Sequence, residues 1–201
     1  MSKTVFFICL LFGFNSLYAQ GKFELGVKAG LNITSFSGET EFALGGYSSR
    51  SSFHFGALAE IPIGSKISVQ SELLYSSKGA MFDFGTSNDG DYILNYLEIP
   101  VLGKYYITSR LTTEIGASLG FLMSAKRDAK NAQGTRDVKD RYKSTDVTMV
   151  FGFSYKLQRS VFLSLRYNRS LININDSSVF PNGEKLKNQN SVFQLSVGYG
   201  F

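Results

Sequence analysis

The sequence predicts an all-β fold: an eight-stranded antiparallel up-and-down transmembrane β-barrel with short periplasmic turns and long extracellular loops. Three observations predict it. Apolar and polar residues alternate in eight segments, short and long connections alternate between the segments, and the polar face carries isolated ionisable residues. Alternation with a period of two gives a strand two different faces. A strand that crosses a bilayer as part of a closed barrel has this pattern.

The clearest segment covers residues 94–107, where Leu97 and Ile99 lie on one face and Glu98 and Lys104 lie on the other. If the apolar face meets lipid, the glutamate and the lysine must be enclosed by the barrel. Seven further segments have the same alternation, and all eight supply the roughly 9–11 residues that a spanning strand needs. The predicted strands are residues 23–33, 52–63, 67–84, 94–107, 111–124, 146–157, 161–172 and 192–201.

The connections between the predicted strands are alternately short and long. The short connections are residues 64–66, 108–110 and 158–160, and the long connections are residues 34–51, 78–92, 125–145 and 173–191. Outer-membrane barrels have short turns on the periplasmic side and long loops outside the cell. The sequence therefore predicts that both chain ends lie on the periplasmic side.

The first 19 residues have the layout of a secretory signal peptide. Lys3 precedes an apolar run over residues 5–14, and a short exit with small residues ends at Ala19. The run is too short for a membrane-spanning helix, which needs about 20 apolar residues. We therefore predict a signal peptide at residues 1–19 and one barrel domain at residues 20–201. Cleavage removes Cys9, the one cysteine, so the mature chain has no disulfide and no cysteine-based metal site.

The inward face is rich in glycine, serine and glutamine and carries nine ionisable residues. An eight-stranded barrel has an interior that side chains just fill, and an unpaired buried charge costs several kcal/mol. We therefore predict a structural ion-pair network in a closed lumen, with a proton or ion path as the functional alternative. Its members are Glu24, Lys28, Glu60, Glu72, Glu98, Lys104, Glu114, Lys156 and Arg166.

Two proline residues conflict with the predicted strands. Pro62 and Pro100 each follow a Glu-Ile pair, and both lie on strands that run toward the short turns. Proline cannot donate a ladder hydrogen bond, so it is unexpected in a central strand. A bulge or a skipped hydrogen bond near the periplasmic rim is therefore expected at both positions.

The sequence also resembles a known family. Residues 96–105, Tyr-Leu-Glu-Ile-Pro-Val-Leu-Gly-Lys-Tyr, are similar to the fourth-strand motif of the PorT-like outer-membrane β-barrel family, and residues 26–32 and 197–201 resemble its first and last strands. The resemblance implies an outer-membrane location but assigns no activity. The last strand, which ends at Phe201, resembles the signal by which such proteins reach the barrel assembly machinery.

Two other functions have to be weighed against a membrane barrel. A soluble lipocalin-like ligand-binding barrel would show dense charge on its wet face, but here the polar face is sparse and rich in glycine. An enzyme at the barrel rim would need His54, the one histidine, which Asp83, Asp89 and Asp91 in the next loop could approach. We expect no enzyme, and no catalytic, cofactor-binding or metal-binding residue.

The expected function is therefore that of an integral outer-membrane barrel with a polar lumen filled by side chains. It would be structural, adhesive or accessory to an envelope complex through its extracellular loops. Its expected partners are outer-membrane lipids, the barrel assembly machinery and an extracellular or envelope partner that the sequence does not identify. The full sequence has a formal charge of +5, and the predicted mature chain, without Lys3, has +4, a mild surplus that does not indicate nucleic-acid binding.

Overall fold

The computed structural model describes residues 23–38, 46–83, 89–129, 134–176 and 187–201. The predicted signal peptide lies outside these residues and stays a prediction. No helix among the described residues is long and apolar enough to cross a membrane. The strands are β1 (Glu24–Gly38), β2 (Gly46–Ser48), β3 (Arg50–Pro62), β4 (Ile67–Asp83), β5 (Gly90–Tyr106), β6 (Leu111–Ala129), β7 (Arg136–Asp137), β8 (Thr145–Lys156), β9 (Val161–Ser170) and β10 (Asn188–Gly200). One 3₁₀ turn covers Lys139–Arg141.

Eight of these strands close into a barrel. β1, β3, β4, β5, β6, β8, β9 and β10 each pair antiparallel with the next one in chain order. β10 returns to β1 in a register that runs from Gly26 opposite Gly200 to Gly38 opposite Asn188, so the sheet has no free edge. The two short strands are additions at the loop end, where β2 pairs with β4 and β7 pairs with β6. The predicted fold class is confirmed.

The turns at one end of the barrel lie where the sequence places them, at residues 63–66, 107–110 and 157–160. At the other end most strands are longer than predicted: β1 reaches Gly38, β5 begins at Gly90 and β6 reaches Ala129. Residues 78–83, which the predicted strand 67–84 and the predicted connection 78–92 share, belong to β4. Ala80, Phe82 and Tyr92 are apolar side chains that face inward there, so the polar inner face expected of a strand is missing.

The outer surface of the barrel is apolar. Large exposed side chains such as Leu31, Phe53 and Phe193 each expose half or more of their surface, which suits contact with lipid. Tyr155 and Tyr199 lie on this face close to the turns, where a ring with a wet hydroxyl suits the membrane interface. Seven of the nine ionisable residues predicted on the opposite face are buried, which is the reverse of a soluble barrel, so the lipocalin-like alternative was wrong.

The two prolines are accommodated in different ways. Pro62 is the last residue of β3, where it pairs with Ser68. Pro100 lies well inside β5, and it pairs with Ser118 on β6. The ladder between β4 and β5 is interrupted opposite it, between the pair formed by Ser71 and the pair formed by Leu74. The skipped pairing agrees with the missing proline N–H, although it lies farther from the rim than expected.

Candidate functional site

Arg166 is the centre of a charged network in the half of the lumen nearer the turns. Its Nη1 and Nη2 atoms donate to the two carboxylate oxygens of Glu72, at 2.9 and 2.8 Å, and its Nε atom donates to Glu114 at 2.6 Å. A planar guanidinium matches a carboxylate with two parallel bonds, and such pairs are the strong ones. Gly152 makes this possible, because a Cβ there would lie 2.6 Å from Cγ of Arg166. Arg166 thus joins β4, β6 and β9 through the interior.

The network continues toward the turns through Lys104. Its ammonium group lies 2.6 Å from Glu60 and 3.9 Å from Glu114, and it also donates to Gln70 at 2.9 Å. Tyr106 donates a further hydrogen bond to the Glu60 carboxylate. Each carboxylate therefore has a cationic partner as well as a neutral donor or a second cation.

Lys28 completes this group, with its ammonium group 3.4 Å from Glu72. We call Lys28, Glu60, Glu72, Lys104, Glu114 and Arg166 the turn-side network. It contains three bases and three acids, so its formal charge is zero. All six side chains are buried, and the interior of this half of the barrel is therefore filled with neutralised charge.

A second charged group lies nearer the loops. Lys78 contacts Glu98 at 2.6 Å and Asp146 at 3.5 Å, and all three side chains are buried. We call Lys78, Glu98 and Asp146 the loop-side cluster. Lys78 and Asp146 are not among the predicted network residues, because Lys78 falls where a predicted strand and a predicted connection overlap and Asp146 is the first position of a predicted strand. The alternation of the strands would have identified them, because both residues occupy inward-facing positions of β4 and β8.

Two of the nine predicted network residues stand outside both groups. Lys156 is exposed and Glu24 is half-buried, and neither forms an ion pair within 4 Å with another described residue. Both line a cavity of about 60 Å³ at the turn end, together with Arg110 and Arg159. Their inclusion in the network was wrong, because this mouth is open to water and a charge there needs no buried partner. The other seven residues all take part in ion pairs.

His54 is part of the wall and is not placed at the rim. Its Nδ1 atom lies 2.7 Å from the side-chain oxygen of Asn32, and its Nε2 atom lies 2.8 Å from the Ser196 hydroxyl. An amide oxygen only accepts, so Nδ1 carries the proton and Nε2 accepts from the serine. Asp91, one of the predicted partners, forms an ion pair with Arg50 at 3.5 Å instead.

The loop end of the lumen is closed by apolar side chains, although the inward face is predicted to be polar. Tyr92 lies at the centre of this group, with its ring 5.0 Å from that of Phe82 and 6.2 Å from that of Phe36. The guanidinium of Arg127 packs against the group, with its carbon 4.7 Å from the centre of the Phe82 ring. We call this group the apolar cap; its buried members are Phe36, Ala80, Phe82, Tyr92, Leu94, Tyr96, Leu122, Ala125, Val138 and Ile174.

The cap holds an outer segment against the barrel. Val138, which follows β7, is buried in the cap, and its N–H donates to the carbonyl of Ala125 at 3.0 Å. Tyr142 forms a bridge with Asn175 and packs against the cap. We call residues 126–129 and 134–143 the outer platform. Its bases are Lys126, Arg127, Arg136, Lys139, Arg141 and Lys143, and its acids are Asp128, Asp137 and Asp140, which gives six minus three, or +3.

A closed barrel with an apolar outside and charges inside is an integral outer-membrane β-barrel. Residues 18–176 match the family model described as "Outer membrane protein beta-barrel domain", so the chain belongs to that family. The protein therefore lies in the outer membrane, surrounded by lipid.

Solved structures of similar fold include those of two bacterial proteins. Neisserial surface protein A is 16% identical with a TM-score of 0.55, and the match covers 88% of this chain and 97% of that one. Ail, the attachment invasion locus protein of Yersinia pestis, is 15% identical with a TM-score of 0.50, covering 89% and 98%. A complex of Ail with the heparin analogue sucrose octasulfate is 14% identical, with the same TM-score and coverage of 89% and 99%. No curated protein matches the sequence. These likenesses concern the fold.

Proposed function

We propose that this protein is a non-conducting barrel that presents the outer platform at the cell surface and acts through it, as an adhesin for anionic partners. The observation that carries the proposal is the fastening of a segment of net charge +3 onto the barrel by Val138 and Tyr142. A charged surface that is already ordered loses less conformational entropy on binding than a free loop does. A net positive field also attracts anionic partners from a distance.

The filled lumen supports a role at the surface and not in transport. The turn-side network and the apolar cap occupy the interior at two levels, and an eight-stranded barrel has little space beyond its side chains. We also propose that the protein is not an enzyme. Both ring nitrogens of His54 are already engaged by Asn32 and Ser196, so the histidine is not free to act as a base.

The finer resemblance to the PorT-like family belongs to the same proposal. It is supported by residues 96–105, in which Glu98 belongs to the loop-side cluster and Lys104 to the turn-side network. An accessory role in an envelope complex is the alternative that this resemblance favours. We further propose delivery by the barrel assembly machinery through β10, after which Phe201 stands exposed.

The test compares two variants that each lose three exposed bases. Arg136→Gln/Lys139→Gln/Lys143→Gln neutralises the outer platform, and Lys66→Gln/Arg110→Gln/Arg159→Gln neutralises the turns on the opposite side of the membrane. Cells that display each barrel are applied to a surface coated with sulfated glycan, with sucrose octasulfate as the competitor. The platform variant should bind about tenfold less, since each exposed charge contact contributes about 0.5 kcal/mol.

The turn variant should bind like the unchanged protein, and high salt should abolish binding of both, because exposed charges are screened. Equal losses in the two variants, or no binding by the unchanged protein, would contradict adhesion through the platform. If the role is accessory, the platform variant should instead lose a protein that co-purifies with the barrel from the native envelope.

A further inference from the structure

We propose that the lumen contains a binding site for a monovalent cation beside Asp146, at the loop-side cluster. The site is separate from the outer platform and does not depend on the proposed function. Its ligands would be the side-chain oxygens that surround Asp146 on β6, β8 and β10. A buried carboxylate oxygen of Asp146 has no partner among the described residues, the loop-side cluster has a net negative charge, and other oxygens without partners lie nearby.

The two carboxylate oxygens of Asp146 have very different surroundings. Oδ2 accepts from the hydroxyl of Ser170 at 2.8 Å and from the amide of Asn190 at 2.9 Å, and the ammonium group of Lys78 lies 3.5 Å from it. Oδ1 is equally buried, yet no described residue donates a hydrogen bond to it. Leaving a buried charged acceptor without a partner costs several kcal/mol. A positive group beside Oδ1 would remove that cost.

The net charge of the loop-side cluster also favours a bound cation. In the part of the chain that the structure describes, Lys78 is the only base within 4 Å of either Glu98 or Asp146. One base and two acids give a formal charge of −1, whereas the turn-side network sums to zero. A monovalent cation would neutralise the cluster, but a divalent cation would leave an excess positive charge next to Lys78.

Further oxygens face the same region without partners. Ser118, Thr148 and Ser170 lie opposite one another on β6, β8 and β9, and Asn190 on β10 donates its backbone N–H to Ser170 at 3.2 Å. The side-chain oxygens of Ser118, Thr148 and Asn190 are buried and, among the described residues, accept no hydrogen bond. Thr148 is two residues from Asp146 on the same face of β8, and Ser118 pairs with Thr148, so these oxygens lie on inward positions next to that carboxylate.

Oxygen ligands of this kind suit a hard cation such as sodium. The unpaired oxygens of Asp146 and Asn190 carry no hydrogen, so they cannot satisfy one another, whereas a cation can contact both. No three His, Cys, Asp or Glu side chains come together as a metal site within the described residues, so a transition metal is not the expected ligand. The competing occupants of the site are a proton on Asp146 and a neutral water molecule.

The experiment measures the melting midpoint of the full barrel in zwitterionic detergent. Sodium chloride, potassium chloride and choline chloride are compared at equal ionic strength, since choline is too large for a buried site. One of the two metal ions should raise the midpoint by about 5 °C over choline when it is about 100-fold above its dissociation constant. Line broadening of the sodium NMR signal by the folded barrel gives a direct reading of binding.

Two variants identify the ligands. Asp146→Asn should abolish the difference between the metal ion and choline. Thr148→Val keeps the carboxylate and the shape, and it should lose most of the difference while melting in choline no lower than the unchanged protein does. Glu114→Gln is the control: it lowers the midpoint in every salt but keeps the full difference. Thr148→Val also decides the question if Asp146→Asn does not fold.

Equal midpoints in the three salts at neutral and alkaline pH would overturn the proposal. A midpoint that rises as the pH falls, with no preference for either metal ion, would show a proton on Asp146 and would overturn it as well. So would a difference between salts that survives in both Asp146→Asn and Thr148→Val, because the cation would then bind elsewhere.

Discussion

The two ends of the lumen are filled by opposite chemistry and serve different parts of the protein. Near the turns, six charged side chains neutralise one another inside the barrel wall, and Arg166 bonds to residues of two other strands. Near the loops, the apolar cap includes Val138 and Ile174, which lie outside the eight barrel strands. The turn-side network therefore stabilises the barrel itself, whereas the apolar cap holds the outer platform on the barrel.

The difference follows from where water can reach. In the middle of the bilayer the wall is a closed ladder surrounded by lipid, so a charge inside must find its partner inside. Above the membrane an open lumen would admit water, and aromatic rings exclude it at little conformational cost. The loop-side cluster lies between these two regions and retains a formal charge of −1.

The largest effect is expected from breaking the turn-side network at its centre. Arg166→Met leaves Glu114 with one cation at 3.9 Å and Glu72 with one at 3.4 Å, so the network acquires an uncompensated negative charge. The free energy of unfolding should fall by about 3–5 kcal/mol. Urea titration of barrels folded into lipid vesicles measures it. Arg159→Met, which removes an exposed base in a turn, should change it by no more than about 0.5 kcal/mol.

A loss below about 1 kcal/mol for Arg166→Met would mean that Lys28 and Lys104 suffice for the three carboxylates. Arg166→Lys sharpens the test, because it keeps the charge but loses the paired bonds to Glu72. If the geometry of the guanidinium contributes, the free energy of unfolding of Arg166→Lys should lie between that of Arg166→Met and that of the unchanged protein.

A smaller loss of stability, but a larger effect on the outer platform, is expected from opening the apolar cap. Phe82 is 1% exposed, and Phe82→Ala should cost about 3 kcal/mol through the cavity it leaves. Because Val138 packs in the same cluster, residues 134–143 should become accessible to trypsin while the barrel resists it. Phe151→Ala removes the same side chain from the lipid-facing surface, where lipid fills the space, and should leave the platform protected.

Protection of the platform in Phe82→Ala would show that β7 and the bridge from Tyr142 to Asn175 hold it without the cap. Cleavage in both variants would show that general loss of stability exposes it. Either outcome would contradict the conclusion that the apolar cap holds the outer platform while the turn-side network stabilises the barrel.

The regular part of the barrel could be predicted from the sequence because a period of two fixes which side chains share a face. This gave the three turns and the inward direction of Glu98, Lys104 and Arg166. The limits of the pattern appear where the inner face becomes apolar. Alternation cannot distinguish an inward apolar residue from an outward one, so Tyr92 was assigned to a loop and Phe82 fell where a predicted strand and a predicted loop overlap.

The pairing of charges could not be predicted either. Arg166 and Glu72 are 94 residues apart, and they meet because the barrel is narrow enough for side chains to cross it. The register of the eight strands decides which carboxylate each base meets, and the alternation pattern of the sequence does not determine that register. Glu24 and Lys156 show the same limit. They occupy inward-facing positions of their strands, but they lie at the turn end of the barrel, where the lumen opens to water.

The smallest effect, a null result, is expected for conduction through an opened cap. In Phe82→Ala/Tyr92→Ala the loop end loses two of its rings, but the turn-side network still fills the level below, with all six of its side chains buried. Planar bilayers should therefore show no steady channels for this variant or for the unchanged protein. Heat-modifiable migration on gels serves as the control that the variant is folded. Steady channels in the folded double variant, but not in the unchanged protein, would show that the apolar cap is what blocks ion conduction. Ions would then be able to pass through the turn-side network.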